Sequence, residues 1–255
     1  MDGQLQVDKR WRWAAASHIG TSHQRTGTRK QDAYGVRWGP RAFCVVVCDG
    51  AGSASHGGQG ASLTCRHLLT AFQAWFVEHD DLPTDEQIRW WLDDVRDHLS
   101  DIATQRGLTR RQFAATLVML VVLDTQVLTL QVGDSALVAR GEEGWEVLCW
   151  PENGEFASST FFVTDDPEAR LHVSRRPLAY DAFALFSDGL EVVALEQSTQ
   201  RPYARFFDPM IRAVDAANEK GRIGSLCSAL HRYLDSPKLC ERTDDDKTLI
   251  LISCR

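Results

Sequence analysis

Apolar residues recur along this chain at two spacings, and the change from one to the other separates strands from helices. Trp11 to Ala16 and Ala33 to Trp38 read as short strands either side of a polar, glycine-containing loop. Ala42 to Cys48 is apolar and β-branched enough to be a buried strand. It stops at Asp49-Gly50-Ala51-Gly52-Ser53-Ala54-Ser55-His56-Gly57-Gly58-Gln59-Gly60, a stretch too rich in glycine to build a core and expected to form a loop. Helical spacing follows, with Leu63, Leu68, Leu69, Phe72, Trp75 and Phe76 on one side of a helix to about His79. Thr84 or Asp85 can cap a second helix, whose Ile88, Trp91, Leu92, Val95, Leu99 and Ile102 keep the 3.6-residue period until Gly107.

A β-rich block comes next. Ala114 to Leu123, Val127 to Val132, Leu137 to Ala139 and Trp145 to Cys149 are predicted strands joined by tight polar turns, the pattern of an antiparallel meander. Residues 151–177 are irregular and partly acidic, as a mobile insertion would be. Phe183 to Phe186 is another buried strand, Tyr203 to Ala217 and Ile223 to Leu234 are helical, and Thr248 to Ile252 closes the chain as a strand. No repeat, low-complexity tract or linker divides the sequence, so residues 1–255 read as a single α+β domain.

Composition narrows the setting. At 255 residues, 44% hydrophobic and 25% charged, the chain can bury a sizeable core and is not disordered. Twenty-eight basic against thirty-five acidic residues, a net charge of −7, argue against a partner made of nucleic acid. No apolar run approaches the roughly 20 residues of a membrane span. The start, Met1-Asp2-Gly3-Gln4, does not open a secretory leader, so no membrane partner and a cytoplasmic location are expected. Seven scattered cysteines show no zinc-finger spacing; Cys44 and Cys48 fall on one face of their strand and are expected to pack as small hydrophobes.

The chemistry gathers at strand ends. Val47-Cys48-Asp49-Gly50, Val132-Gly133-Asp134-Ser135 and Phe186-Ser187-Asp188-Gly189 each run from an apolar strand into an aspartate beside glycine, and Asp244-Asp245-Asp246 immediately precedes the last strand. Carboxylates brought together in this way repel unless cations lie between them, and hard oxygen donors suit Mg²⁺ or Mn²⁺ rather than zinc. Any one of these Asp-Gly pairs alone would be an ordinary turn. Their joint occurrence is the signal.

In that joint pattern the sequence resembles the PPM/PP2C family of metal-dependent serine/threonine phosphatases, in particular its compact bacterial members. Five stretches carry the resemblance in order: Ser22-His23-Gln24 to Gln31-Asp32-Ala33, Asp49-Gly50-Ala51-Gly52, Ala114-Ala115-Thr116-Leu117 with Val132-Gly133-Asp134-Ser135, Ser187-Asp188-Gly189-Leu190, and Asp245-Asp246-Lys247-Thr248-Leu249. It implies a sandwich of two antiparallel β-sheets flanked by α-helices. It also implies two Mg or Mn ions, bridged by Asp49 and held further by the Gly50 carbonyl, Asp188 and Asp245, with Asp134 and Asp188 at the position of a third ion. Asp49, Asp188 and Asp32 would serve catalysis, Asp32 by orienting metal-bound water. The implied reaction is attack of a metal-bridging hydroxide on phosphoserine or phosphothreonine, with a phosphorylated protein as substrate and a cognate serine/threonine kinase opposing it. A phosphoprotein-binding regulator with weak or no activity, and a small-molecule phosphomonoesterase, remain alternatives.

The sequence departs from the family in places. Gln31 stands where a glutamate is frequent, and Gly27 where many relatives carry a phosphate-binding arginine, which leaves Arg25 and Arg29 as candidates for that contact. Ala51 replaces the histidine that animal members use as an acid; nearby His56 is expected to be a surface residue. His18 and His23 are expected to make structural hydrogen bonds, and Trp11, Trp13, Trp75, Trp90, Trp91 and Trp145 to pack in the core or between helices. Gly154-Glu155-Phe156 resembles the start of the flap beside the active site of bacterial relatives.

Overall fold

A computed structural model of the chain describes residues 11–39, 42–154 and 160–254. Met1 to Gln4, and Glu155 and Phe156 of the expected flap, lie outside the described residues. Strand β1 (Arg12–His18) is followed by a short helix α1 (Thr21–Thr26) and by β2 (Ala33–Trp38) and β3 (Ala42–Cys48). Two long helices come next, α2 (Gly57–Glu78) and α3 (Asp85–Gln105), then a 3-10 turn at Arg110–Phe113. The middle of the chain is β4 (Leu117–Leu123), β5 (Gln126–Val132), β6 (Ala136–Gly141), β7 (Gly144–Cys149), β8 (His172–Pro177) and β9 (Ala182–Phe186). A 3-10 turn at Asp188–Leu190 leads into α4 (Glu191–Ala194), the ribbon β10 (Leu195–Glu196) and β11 (Arg201–Pro202), and helix α5 (Ala204–Asp215). The chain ends with β12 (Gly221–Arg222), α6 (Gly224–Leu234), α7 (Pro237–Cys240) and β13 (Lys247–Ser253).

The strands form two main sheets, ordered β2-β3-β4-β5-β8 and β12-β1-β13-β9-β6-β7. All pairs are antiparallel except β12 with β1. Alternation along β3 shows how they stack. Phe43, Val45 and Val47 meet Phe183, Leu185, Ile250 and Ile252 between the sheets. Cys44, Val46 and Cys48 turn the other way, into a core with Leu68 and Phe72 of α2 and Leu92 and Leu99 of α3. On the far side, Ala14, Ala184 and Leu251 bury Phe207 and Ile211 of α5 and Leu230 of α6. The result is the expected sandwich: helices, sheet, sheet, helices. Helix α3 shows the local logic, burying Ile88, Leu92, Val95, Leu99 and Ala103 along one stripe. Thr84 is its cap, with Oγ1 accepting from the Gln87 amide at 3.2 Å. Trp90 lies off that stripe and is 59% exposed, so it is not a packing residue.

The architecture departs from the sequence reading at five places. The polar stretch before β2 contains α1. The predicted strand from Ala114 starts three residues later, after the 3-10 turn. The expected meander is two hairpins in different sheets: β4 pairs with β5 in one and β6 with β7 in the other, the chain changing sheets over Gly133-Asp134-Ser135. The irregular stretch is also shorter than 151–177, because His172–Pro177 forms β8 on the edge beside β5. Its histidine and two arginines are the charges that edge strands tolerate, and they mask it in the sequence.

The glycine-rich stretch after β3 is also only partly a loop, since α2 begins at Gly57. Glycine is required there for close packing. A Cβ on Gly60 would lie 1.9 Å from the Phe113 carbonyl oxygen, backbone against backbone. Helix propensity alone favours Gly60→Ala by about 1 kcal/mol. We expect the contact to win, with a loss of about 2–4 kcal/mol, typical of overpacking and forced backbone shifts. Urea unfolding of Gly60→Ala reads the sign directly, and a stabilised variant would show that α2 can move away from the 3-10 turn.

Candidate active site

The pairing register brings the acidic strand ends together. Cys48 at the end of β3 pairs with Ala33 at the start of β2. Val132 at the end of β5 pairs with Leu117, and Phe186 at the end of β9 pairs with both Ala136 and Leu249. Asp32, Asp49, Asp134, Asp188 and Asp245 are therefore carried to one end of the sandwich by rigid elements. There a cavity of about 570 Å³ is lined by Asp49, Gly50, Asp134, Asp188 and Asp245 and by Glu191, which the sequence reading missed. Asn153, Thr160 and Phe162, from the irregular stretch after β7, form part of its wall.

Asp49 is fixed through its backbone. The Thr116 amide donates to the Asp49 carbonyl at 2.8 Å, and the Asp49 amide donates to Thr116 Oγ1 at 3.1 Å. Thr116 Oγ1 is also 3.0 Å from Ser135 Oγ, which ties the third sequence motif together. The Asp49 carboxyl stands close to those of Asp32 and Asp188. Burial, followed by the charges of Asp32 and Asp188, pushes its pKa well above the ordinary carboxylate range. Asp188 is pushed up to about 8, first by burial and then by Asp134 and Asp245. Asp134 and Asp32 are raised too, mainly by burial, and Glu191 by burial and then by Asp134. The glycine after Asp188 is a steric requirement, because a Cβ on Gly189 would sit 1.9 Å from the Asp246 carbonyl oxygen.

Asp32 lies beneath the cavity. Its Oδ2 accepts from Ser187 Oγ at 2.7 Å and Thr248 Oγ1 at 2.6 Å. Lys30 Nζ donates to the Asp32 carbonyl at 2.7 Å and to Ser17 Oγ at 2.6 Å, and Ser17 Oγ touches Thr248 Oγ1 at 2.8 Å. This network holds one side of the carboxyl and leaves Oδ1 buried without a partner, as are Asp134 Oδ1 and Asp188 Oδ1. Such atoms are costly unless something else satisfies them. Gln31 behaves alike: its Nε2 donates to the Ala51 and Ala54 carbonyls at 3.3 and 3.4 Å, and Oε1 is left over.

The acidic run before β13 splits by role. Asp245 is exposed and lines the cavity. Asp246 is 1% exposed and accepts from the Gly20 amide at 2.6 Å and the Gln31 amide at 2.5 Å, with His23 Nδ1 at 3.0 Å. It is a structural anchor, and no feature of the sequence distinguishes it from its neighbours. Asp244 takes Arg25, whose Nη2 lies 2.8 Å from Oδ2 on the surface. Neither Arg25 nor Arg29 is among the described residues lining the cavity. His56 turns Nδ1 to Ser55 Oγ at 2.9 Å and its ring to Phe113. His18 Nδ1 faces the Ile19 carbonyl at 2.9 Å. His23 does line the cavity.

Unpartnered buried carboxylate oxygens, raised pKa values and a lining that carries five acidic side chains fit a hard divalent cation. Among the described residues, no three acidic, histidine or cysteine side chains already form a closed ligand set. The arrangement is open and suits ions that keep much of their water, as Mg²⁺ does.

Comparison with known proteins agrees with this geometry. Residues 19–235 match the family model described as Protein phosphatase 2C, a span holding four of the five sequence motifs. The chain is 33% identical over 248 residues to serine/threonine-protein phosphatase 3 of Escherichia coli (strain K12), covering 94% of this chain and 97% of that one. Among solved structures it is similar to PppA, a key regulatory component of T6SS in Pseudomonas aeruginosa, with TM-score 0.67, 21% identity, and 96% and 98% of the two chains covered. It is similar too to the catalytic domain of the serine/threonine phosphatase PstP in complex with two manganese ions, with TM-score 0.58, 17% identity, and 95% and 97% covered. No helix among the described residues is long and apolar enough to cross a membrane. With the motif order, the sandwich and the acidic cavity in agreement, the chain belongs to the PP2C/PPM family of serine/threonine protein phosphatases.

Proposed function

We propose that this phosphatase hydrolyses phosphoserine and phosphothreonine esters of proteins with Mg²⁺ or Mn²⁺ held in the strand-end cavity, opposing a serine/threonine kinase. The observation that carries the reading is the set of buried carboxylate oxygens on Asp32, Asp134 and Asp188 that no protein group satisfies. The two manganese ions of the PstP catalytic domain support it. Asp49, the Gly50 carbonyl, Asp188 and Asp245 would hold two ions, and Asp134 with Asp188 a third. When bound, such cations make water nucleophilic at neutral pH and neutralise charge on the phosphoryl oxygens. Asp32, with Oδ2 occupied by Ser187 and Thr248, has Oδ1 free to orient the attacking water. Gln31 Oε1 is a second acceptor on that side of the cavity. No side chain needs to form a covalent phosphoenzyme: the water oxygen bonds to phosphorus, the serine or threonine oxygen leaves, and protons pass from the one to the other.

Phosphate release from a phosphothreonine peptide tests the reading. It should require Mn²⁺ or Mg²⁺, stop with chelator, and fall at least about 100-fold in Asp188→Asn, with the variant still folded. Release that persists in chelator would refute metal dependence, and wild-type turnover in Asp188→Asn would remove that residue from the site. Asp134→Ala should slow turnover while leaving the affinity for the first two ions, measured by calorimetry, near wild type.

The charge cluster also predicts a pH dependence. Burial and the charges of Asp134 and Asp245 push the Asp188 carboxyl up to about 8 in the fold, against the ordinary 3.8 of an aspartate in the unfolded chain. Between those values the folded state binds more protons, so stability falls as pH rises. The thermal midpoint of the chelated protein should drop from pH 5.5 to pH 8, and Mn²⁺ should restore it most at pH 8. Asp188→Asn should lie several degrees above chelated wild type at pH 8, at about 2–4 °C per kcal/mol for a chain this size. A chelated midpoint that rises with pH would show that repulsion does not govern the site.

A further inference from the structure

We propose that His23 holds the substrate's phosphoryl group through Nε2–H, an assignment that rests on the phosphatase reading above. The cavity presents the carboxyls of Asp49, Asp134, Asp188, Glu191 and Asp245 to whatever enters it. A phosphate monoester is itself a dianion near neutral pH, so it needs donors beyond the cations. Among the described residues lining the cavity, His23 is the only side chain able to carry positive charge. Arg25, two residues on, is drawn to Asp244 instead.

The ring is set for this task by its neighbours. Nδ1 lies 3.0 Å from Oδ1 of Asp246, which also takes the Gly20 amide, while Oδ2 takes the Gln31 amide. A carboxylate offers only acceptors, so Nδ1 carries the hydrogen. Nδ1 is thereby committed to Asp246, and donation from Nε2 to a phosphate dianion requires the ring to take up its second proton. The side chain is 16% exposed and lines the cavity. Its backbone is equally fixed: the Ser22 amide and Ser22 Oγ both donate to the Asp244 carbonyl, at 2.9 and 2.8 Å. Asp245, an expected cation ligand, is the next residue after that carbonyl. One short segment therefore places a cation ligand and a phosphate donor at a constant separation. A charged hydrogen bond to phosphate is of the strong class, and its loss corresponds to about tenfold or more in affinity.

The test is calorimetric titration of inorganic phosphate into the manganese-loaded protein, beside KM for a phosphothreonine peptide. His23→Ala and His23→Gln should each weaken phosphate about tenfold or more and raise KM by a similar factor. Manganese affinity measured without phosphate should stay at the wild-type value. His23→Gln retains a donor for Asp246 and tests the charge if His23→Ala fails to fold. Unchanged phosphate affinity in the folded variants overturns the proposal, as does a loss of manganese affinity large enough to account for the phosphate effect. A wild-type protein that hydrolyses the peptide yet binds no phosphate overturns it while leaving the phosphatase reading intact. Phosphate binding that depends on His23, in a protein that hydrolyses no phosphopeptide, would instead uphold the assignment and refute that reading.

Discussion

Like charges withdrawn from water repel strongly, and this fold holds the carboxyls of Asp32, Asp49, Asp134 and Asp188 together at one end of a sandwich. Nothing at the site relieves that repulsion in full. Each acid is placed by an element whose position is decided elsewhere, in the apolar layers between the sheets and beneath the helices. A strand whose side chains interdigitate on both faces cannot slide by a residue without inverting its pattern. The core thus fixes where the carboxyls stand, whatever they would prefer.

How completely each acid is satisfied separates its role. Asp246 receives two backbone amides and a histidine, and it braces the segment joining β1 to β2 against the start of β13. Asp32 is satisfied on one oxygen only, and Asp134 and Asp188 each keep an unpartnered buried oxygen. A fully bonded carboxylate is structural; a half-bonded one at the edge of a cavity is prepared for a ligand. Asp245 and Asp246 differ by one position in an unbroken acidic run, yet they fall on opposite sides of this division.

Much of the fold was legible because buried strands and amphipathic helices write their period into the chain, as in Phe43 to Cys48 and along α3. The strand-end aspartates were legible for a related reason: a charged residue that closes an apolar run stands out. What stayed hidden had no local signal. Strand β8 presents His172, Arg175 and Arg176 because it lies on an edge. The change of sheet at Gly133 to Ser135 looks like any tight turn, since sequence reports the turn and not which strand lies across from it. Gly57 to Gly60 read as loop because glycine disfavours helices, but a Cβ on Gly60 would lie 1.9 Å from the Phe113 carbonyl oxygen, so packing selects glycine inside this helix. Glu191 follows the Asp188 motif as the first residue of a one-turn helix, and only its return to the cavity beside Asp134 reveals it.

The sheet change shows how site and fold are coupled. By leaving β5 for the other sheet, the chain lifts Asp134 off the end of a hairpin and sets it between sheets, facing Asp188 from β9. An ordinary two-residue hairpin would have continued the meander and turned that aspartate toward solvent. On the proposed reading, the carboxyls gathered by this route raise the affinity for cations and lower the stability of the protein without them, and the two effects are the same repulsion seen from opposite sides of one equilibrium. Replacing Asp188 by a neutral residue would then ease the fold and weaken the site together. If the cavity holds divalent cations as proposed, it can be optimised for stability or for binding them, but not for both, and unpartnered buried oxygens are what the second choice would leave.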